Sequence, residues 1–397
     1  MIVEIHGASF FNIGSELMLR TVIFELTKRI TNIQFAVDPT VGSYEERAKL
    51  NLKQIVPMRF WMTQSRYRPL SLIQKLSGPI IPKRISAHYG CVTVNQINAL
   101  IDISGFAYSD KWGPKPIQSF SYLTKLYKKS GKPVILLPQA FGPFDMIESK
   151  NGFKKIVRYG NLIYARDFRS YQHIKKLIGI NDKVRIAPDI TYFYPEGTNS
   201  ASSIYRSPYC CLIPNSRILD KSNKVMKGNY LNLLCRIAGE ILNQSLQVRI
   251  LVHDKTNEDL EIAKQILANL KSEKPNNNIL IENPTDPLEA KRRIGSSRFI
   301  VGSRYHALIS AFSYGVPSLC IGWAHKYDAI YEEFNLTKFL IDENTPYQNI
   351  LCLLEELLDE GKNRYYGRLI KNTLIEKKKV TQLMWNDVET ELEKYNN

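Results

Sequence analysis

Short apolar runs alternate with helix-period segments along almost the whole chain, and this alternation limits the fold more than any other feature. "MIVEIHG" leads into the amphipathic "SELMLRTVIFELTKRI", where Leu17, Thr21, Phe24 and Lys28 recur at steps of three and four. "IQFAVD", "ALIDISG", "KPVILLPQAFGPF", "LIYARDFRS" and "VRIAPDITYFY" read as further strands, with the helical "PIQSFSYLTKLYKKSG" among them. Strands separated by helices in this way build a parallel, doubly wound sheet. The rhythm breaks at "PEGTNSASSIYRSP", Pro195 to Pro208, whose Ser, Gly and Pro content marks a linker. It resumes with "YCCLIPN", "QVRILVHD", "NILIENP" and "RFIVGS" between helical segments, and from Tyr347 the chain reads as a helical tail. The expected class is therefore α/β with two Rossmann-like domains, residues 1–200 and 201–346, and a helical tail at 347–397. The first domain carries a basic insertion at about 47–100, and a ligand is expected in the cleft between the domains.

The stretch "GSRYHALISAFSYGVPSLCIG", Gly302 to Gly322, concentrates the chemistry. It reads as the end of a strand, a turn, a helix stopped by Gly315 and Pro317, and a second strand. Arg304 and His306 then fall in the first helical turn, beside a strand's carboxyl end, where open α/β sheets bind ligands. Ser303 is placed to cap the helix. The planar fork of Arg304 suits a carboxylate or phosphate. The helix dipole favours an anion and disfavours imidazolium, which keeps His306 neutral and able to act as a base. The ordinary alternative for His306 is a core histidine bonded to backbone.

Two other places suit anions. In "HGASFFNIGSE", Gly7 and Gly14 flank a loop between the first strand and the first helix, where backbone amides could meet a phosphate; a plain glycine turn would look the same. In "YARDFRS", Arg166 directly follows a buried strand and needs a partner: Asp167, Asp189, another carboxylate or a ligand anion.

Charge narrows the partners. The net charge is +16, and from Arg47 to Ile101 there are nine Lys and Arg with no acid. Residues 59–84 mix bulky apolar side chains with basic ones, which suits an anionic membrane face better than nucleic acid, for which no motif is present; a solvated loop with core anchors is the plain alternative. No run approaches the roughly 18 apolar residues of a membrane span, and the first residues lack the apolar core of a signal peptide. The expectation is a cytoplasmic protein, peripheral at most to the inner membrane face. Six cysteines show no metal-ligand spacing and are expected as reduced core residues, and no metal site is expected.

Five motifs in order resemble the polysaccharide pyruvyl transferase family: "FFNIGSE", "LPQAFGPF", "ARDFRS", "APDITY" and "SRYHALISAFSYGVP". The resemblance implies a GT-B-like fold and transfer of a pyruvyl group from phosphoenolpyruvate to a sugar of a surface polysaccharide or its precursor, giving a pyruvate ketal. It implies His306 as the catalytic residue, with Arg304 and Arg166 on the donor's carboxylate and phosphate, and no cofactor. Tyr305, Asn12, Gly14 and Lys326 complete the expected donor site. Asp102, Asp110 and Trp323 are expected on the acceptor side, where the acceptor sugar is free, nucleotide-linked, lipid-linked or polymeric. Ser15 stands where the family loop often has Asp, and "ISGFAYSD" replaces its glycine-rich turn, with Phe106 and Tyr108 narrowing that place. Two rivals remain. A GT-B glycosyltransferase using a nucleotide-sugar would usually carry a Glu near this helix, and the helix has no acid. A non-catalytic scaffold in polysaccharide assembly would have no need of Arg304 and His306.

Overall fold

The computed structural model describes residues 1–56, 88–195, 208–222, 224–255, 257–273, 278–322 and 325–395. The basic stretch at 59–84, most of the linker candidate and Trp323 lie outside the described residues. Two compact units are present: Met1–Phe10, Met18–Asp189 and Val380–Asn397 in the first, Phe11–Leu17 and Ile190–Lys379 in the second.

The first unit is built on an eight-stranded parallel sheet. Its strands are β1 (Ile2–His6), β2 (Gln34–Val37), β3 (Lys53–Val56), β4 (Cys91–Thr93), β5 (Ala99–Asp102), β6 (Val134–Gln139), β7 (Leu162–Ala165) and β8 (Val184–Ile186), ordered β4-β3-β2-β1-β5-β6-β7-β8. Val3 lies beside Phe35 on one side and Ala99 on the other. β5, β6 and β7 are buried along their whole length, so they appear in the sequence as apolar runs rather than alternating ones, with Asp102 and Gln139 at the carboxyl ends of β5 and β6. The order reverses between β1 and β5. There a side chain at Gly7 (φ +79°) would come within 2.6 Å of the Ser104 Cα, so the two loops at the reversal touch. The last stretch of the C-terminal helix packs on this unit: Asp387 accepts from the Tyr164 hydroxyl at 2.9 Å and pairs with Arg185, and Glu391 accepts from Asn161 at 2.7 Å.

The second unit carries β9 (Tyr209–Ile213), β10 (Gln247–Leu251), β11 (Ile279–Glu282), β12 (Ile300–Gly302), β13 (Ser318–Ile321) and β14 (Leu340–Ile341), again parallel, in the order β11-β10-β9-β12-β13-β14. Here the order reverses between β9 and β12. Gly302 is required at that point, because a Cβ would lie 2.9 Å from the Ile213 Cβ of the neighbouring strand. The helix Tyr305–Ser313 follows, and Ala307, Leu308, Ala311 and Phe312 are fully buried in the core of this unit. Gly315 (φ +69°) ends it: its N–H donates to Phe312 O at 2.8 Å, and Val316 donates to Ala311 O at 2.9 Å. Gly tolerates this left-handed conformation where other residues are strained. Helices Tyr347–Leu358 and Glu360–Glu393 form the C-terminal part; up to Lys379 the second counts with this unit.

The cysteine expectation needs a correction. All six are free thiols, but only Cys210, Cys211 and Cys320 are buried; Cys91 and Cys235 are half-buried and Cys352 is exposed. Cys235 and Cys352 sit on helices that show one face to solvent, where an apolar neighbourhood in sequence does not mean a core position. Among the described residues, no helix is long and apolar enough to cross a membrane.

Candidate active site at a helix start of the second unit

The site grows from the reversal between β9 and β12. Both strands end there, and each continues into a polar turn. After β9, Asn215 donates to Ser303 O at 2.9 Å and to Ser303 Oγ at 3.3 Å. Tyr327 donates to the same Ser303 carbonyl at 2.5 Å. Ser303 is thus a fully buried junction and not a helix cap. The cap position belongs to Arg304, whose side chain makes no capping bond.

Arg304 is buried and faces carboxylates of its own unit. Nε and Nη2 form a two-pronged contact with Asp259 at 2.8 and 2.6 Å, and Nη1 lies 3.0 Å from Asp254 Oδ2. Asp259, wholly buried, also accepts from the Ser216 N–H at 2.8 Å. Burial alone would lower the Arg304 pKa; Asp259 and then Asp254 outweigh it, and the pKa lies above its usual value. The expected donor-gripping fork is therefore occupied by two internal carboxylates. Neighbouring His253 is held neutral: burial, then Arg304 and His306, bring its pKa down to about 3.

Asp254 connects this cluster to the loop at the start of the first helix, Ile13–Arg29. Asn12 and Asp254 form an antiparallel bridge, and Asn12 Nδ2 donates to Asp254 Oδ2 at 3.2 Å. Lys255 N donates to Phe11 O at 2.9 Å, and Lys255 Nζ pairs with Glu16 at 2.8 Å. Asn12 Oδ1 accepts from Ser15 N at 3.1 Å, which makes Asn12 the helix cap. Gly14 lies against His306: a Cβ there would stand within 2.6 Å of the imidazole Nδ1, Cγ and Cβ. The glycine of "FFNIGSE" thus makes room for a histidine ring. Tyr305 meets His306 edge to face at 5.5 Å, and Lys326 Nζ lies 5.7 Å from the centre of the Tyr305 ring. Asn12, Gly14, Arg304, Tyr305, His306 and Lys326 are all brought together in this unit.

Of the other expected site residues, Arg166, Asp102 and Asp110 belong to the first unit. Arg166 and Asp189 are both buried, with Nη1 3.6 Å from Oδ2, while Asp167 caps the helix Phe168–Ile178 through the Ser170 N–H. Asp102 ends β5 and is wholly buried. It accepts from Ser104 Oγ at 2.6 Å, Tyr108 Oη at 3.1 Å and Gln139 Nε2 at 2.6 Å, and burial pushes its pKa up despite these donors. Asp110 accepts from the Asp145 and Met146 N–H groups and so ties its loop to the residues that directly follow the "LPQAFGPF" segment. Tyr108 is buried in that packing, and Phe106 meets Trp112 edge to face at 6.5 Å. Sequence reasoning missed Asp254, Asp259 and His253. The available signal was "VHD" directly after a buried strand, with a second acid opening the next helix.

Two parallel α/β sheets, each with polar residues at the point where strand order reverses, define a GT-B-like protein. The fold is shared with solved structures of low identity. Staphylococcus aureus MnaA, solved with UDP, is 15% identical with a TM-score of 0.56, covering 93% of this chain and 90% of that one. Anabaena HepE, in complex with UDP-glucose, is 9% identical with a TM-score of 0.56, covering 98% of each. The UDP-GlcNAc 2-epimerase of Neisseria meningitidis, bound to UDP-GlcNAc, is 12% identical with a TM-score of 0.55, covering 95% of this chain and 99% of that one. A search of curated proteins found no match. The polysaccharide pyruvyl transferase family model matches residues 12–325, and the chain belongs to that family.

Proposed function

We propose that the protein transfers a pyruvyl group from phosphoenolpyruvate to a sugar of a surface polysaccharide or its precursor, forming a pyruvate ketal across two hydroxyls. The observation that carries this reading is the seating of His306 against Gly14, next to buried Arg304, at a strand-order reversal in a chain of this family. A proton must leave one sugar hydroxyl as its oxygen bonds to C2 of the donor, and a proton must reach C3. His306 takes the first and supplies the second. The C2–O bond to phosphate then breaks, the second hydroxyl bonds to C2, and its proton leaves with the released phosphate or to solvent. The products are the ketal and inorganic phosphate, and the scheme calls for no cofactor.

In this reading Arg304 is held by Asp259 and Asp254 and fixes the helix start that carries His306. Tyr305, Lys326 and Arg166 contribute to donor binding. Asn12 and Gly14 set the loop. On the acceptor side, Asp102 acts through Gln139 and Tyr108, Asp110 holds its loop, and Trp323 supplies an aromatic face. The acceptor could be lipid-linked, with the protein peripheral to an anionic membrane. The test is phosphate release from phosphoenolpyruvate with a panel of pyranoside acceptors, for wild type and His306→Gln, with a thermal melt in the presence of nucleotide-sugars. Acceptor-dependent release lost in His306→Gln supports the proposal. Near-normal turnover of the variant would remove His306 from the mechanism, and stabilisation by a nucleotide-sugar alone would overturn the proposal in favour of glycosyl transfer.

A further inference from the structure

We propose that three helices on one face of the first unit form a docking surface for an anionic lipid bilayer. The helices Lys115–Lys129, Ile147–Tyr159 and Phe168–Ile178 connect β5 to β6, β6 to β7 and β7 to β8. These strands are adjacent and parallel, so three crossovers of the same hand fall on one side of the sheet. The first two helices pack closely, with Gly152 leaving room for Ile117: a Cβ there would lie 2.7 Å from Ile117 Cγ2. Together the three helices carry eleven Lys and Arg against a single acid, Glu148. The whole chain has 54 basic and 38 acidic residues, so this face is far more one-sided than the protein's overall charge.

The solvent side of the first helix is not uniformly polar. Ile117, Phe120, Leu123 and Tyr127 face the core, and the opposite stripe is exposed. In the middle of that stripe stand Tyr122, 51% exposed, and Leu126, 39% exposed, flanked by Lys125 and Lys129. The second helix opens with Ile147, 63% exposed, about two and three turns before exposed Lys154 and Arg158 on the same stripe. A water-facing helix stripe gains nothing from large apolar side chains. An acidic polymer would engage the lysines but would give Leu126 and Ile147 no apolar phase to enter. A bilayer interface takes both, with cations at the headgroups and apolar groups below them.

This surface is distinct from residues 59–84 and stands independently of the pyruvyl-transfer chemistry. The full-length chain is to be sedimented with vesicles of phosphatidylcholine alone and of phosphatidylcholine mixed with phosphatidylglycerol. Binding is expected to the mixed vesicles only. Lys125→Gln/Lys129→Gln/Lys154→Gln/Lys155→Gln is expected to weaken it at least about tenfold, since each cation near an anionic surface is worth roughly 1 kcal/mol. Tyr122→Ser/Leu126→Ser/Ile147→Ser is expected to weaken it severalfold while leaving retention on a heparin column unchanged. All these side chains are solvent-exposed, so both variants should melt like the parent and keep its activity on a soluble acceptor. The proposal is overturned if the parent ignores the mixed vesicles or if both variants bind them like the parent. It is also overturned if only the lysine variant loses binding and heparin competes fully, which would mark a site for an acidic polymer.

Discussion

Replacing Gly14 by Ala separates the two things a residue at this position can affect. The backbone is not in the left-handed region, so Ala is conformationally allowed, and in a helix it is favoured over Gly by about 1 kcal/mol. Against this, the new methyl would stand within 2.6 Å of three His306 atoms, where real Cβ contacts essentially never fall below 3.0 Å. Ordinary contact requires the ring or the loop to move by about 1 Å. Overpacking of this size costs about 1–3 kcal/mol, partly offset by the helix gain. The expected net loss of stability is thus about 0–2 kcal/mol. Catalysis should suffer far more, because a displacement of about 1 Å at a reacting group costs around a hundredfold. Phosphate release at saturating phosphoenolpyruvate and acceptor, with a thermal melt on the same preparation, reads both. A folded Gly14→Ala protein within threefold of wild-type kcat would refute the placement of His306 at the reacting atoms.

Two further outcomes follow from the carboxylate cluster and its buried neighbour. Asp259→Asn leaves the fork of buried Arg304 without its two-pronged partner, and denaturant titration should show a loss of about 3–5 kcal/mol for the second unit. For His253, the folded pKa of about 3 lies below the ordinary unfolded value, so the unfolded chain binds the extra proton between those limits. Its contribution to stability is complete above about pH 6.5 and is lost as pH falls towards 3. His253→Gln should therefore flatten the difference in urea midpoint between pH 7 and pH 4.5, and an unchanged slope would refute the assignment.

The strand–turn–helix–strand unit around Gly302–Gly322 was legible because each part has a local cause: a buried parallel strand, a helix with an apolar stripe, and a Gly315–Pro317 stop. The donor-side grouping was legible in part, since Arg304, Tyr305 and His306 are consecutive. The partners of Arg304 were not. Asp254 and Asp259 are about fifty residues away in sequence, and only the β10–β9–β12 order of the sheet brings their loops beside the helix start. The role of Gly14 was hidden for the same reason. A glycine between a strand and a helix suggests a phosphate loop, but its neighbour is a ring from the other end of the chain. Ser303 shows the limit of capping rules: it lies one residue too early, and its groups are taken by Asn215 and Tyr327.

The charge around Arg304 leaves two ways for the proposed donor to use it. Arg304 carries one positive charge and faces two carboxylates, His253 is neutral, and Lys255 is balanced by Glu16. An anion approaching this cluster meets no net positive charge. Asp259 holds the Nε–Nη2 edge of the guanidinium with both its oxygens and is wholly buried, so it fixes the plane in any state. Asp254 meets Nη1 through an oxygen that also accepts from Asn12, so it is the contact that could be exchanged for a donor oxygen. If exchange occurs, Asp254→Asn weakens the competitor and lowers KM for phosphoenolpyruvate. If Arg304 only positions the helix start, the same substitution loosens the loop that faces His306, and kcat falls at constant KM. A rise in KM with kcat unchanged fits neither route and would place Asp254 itself among the groups that bind the donor.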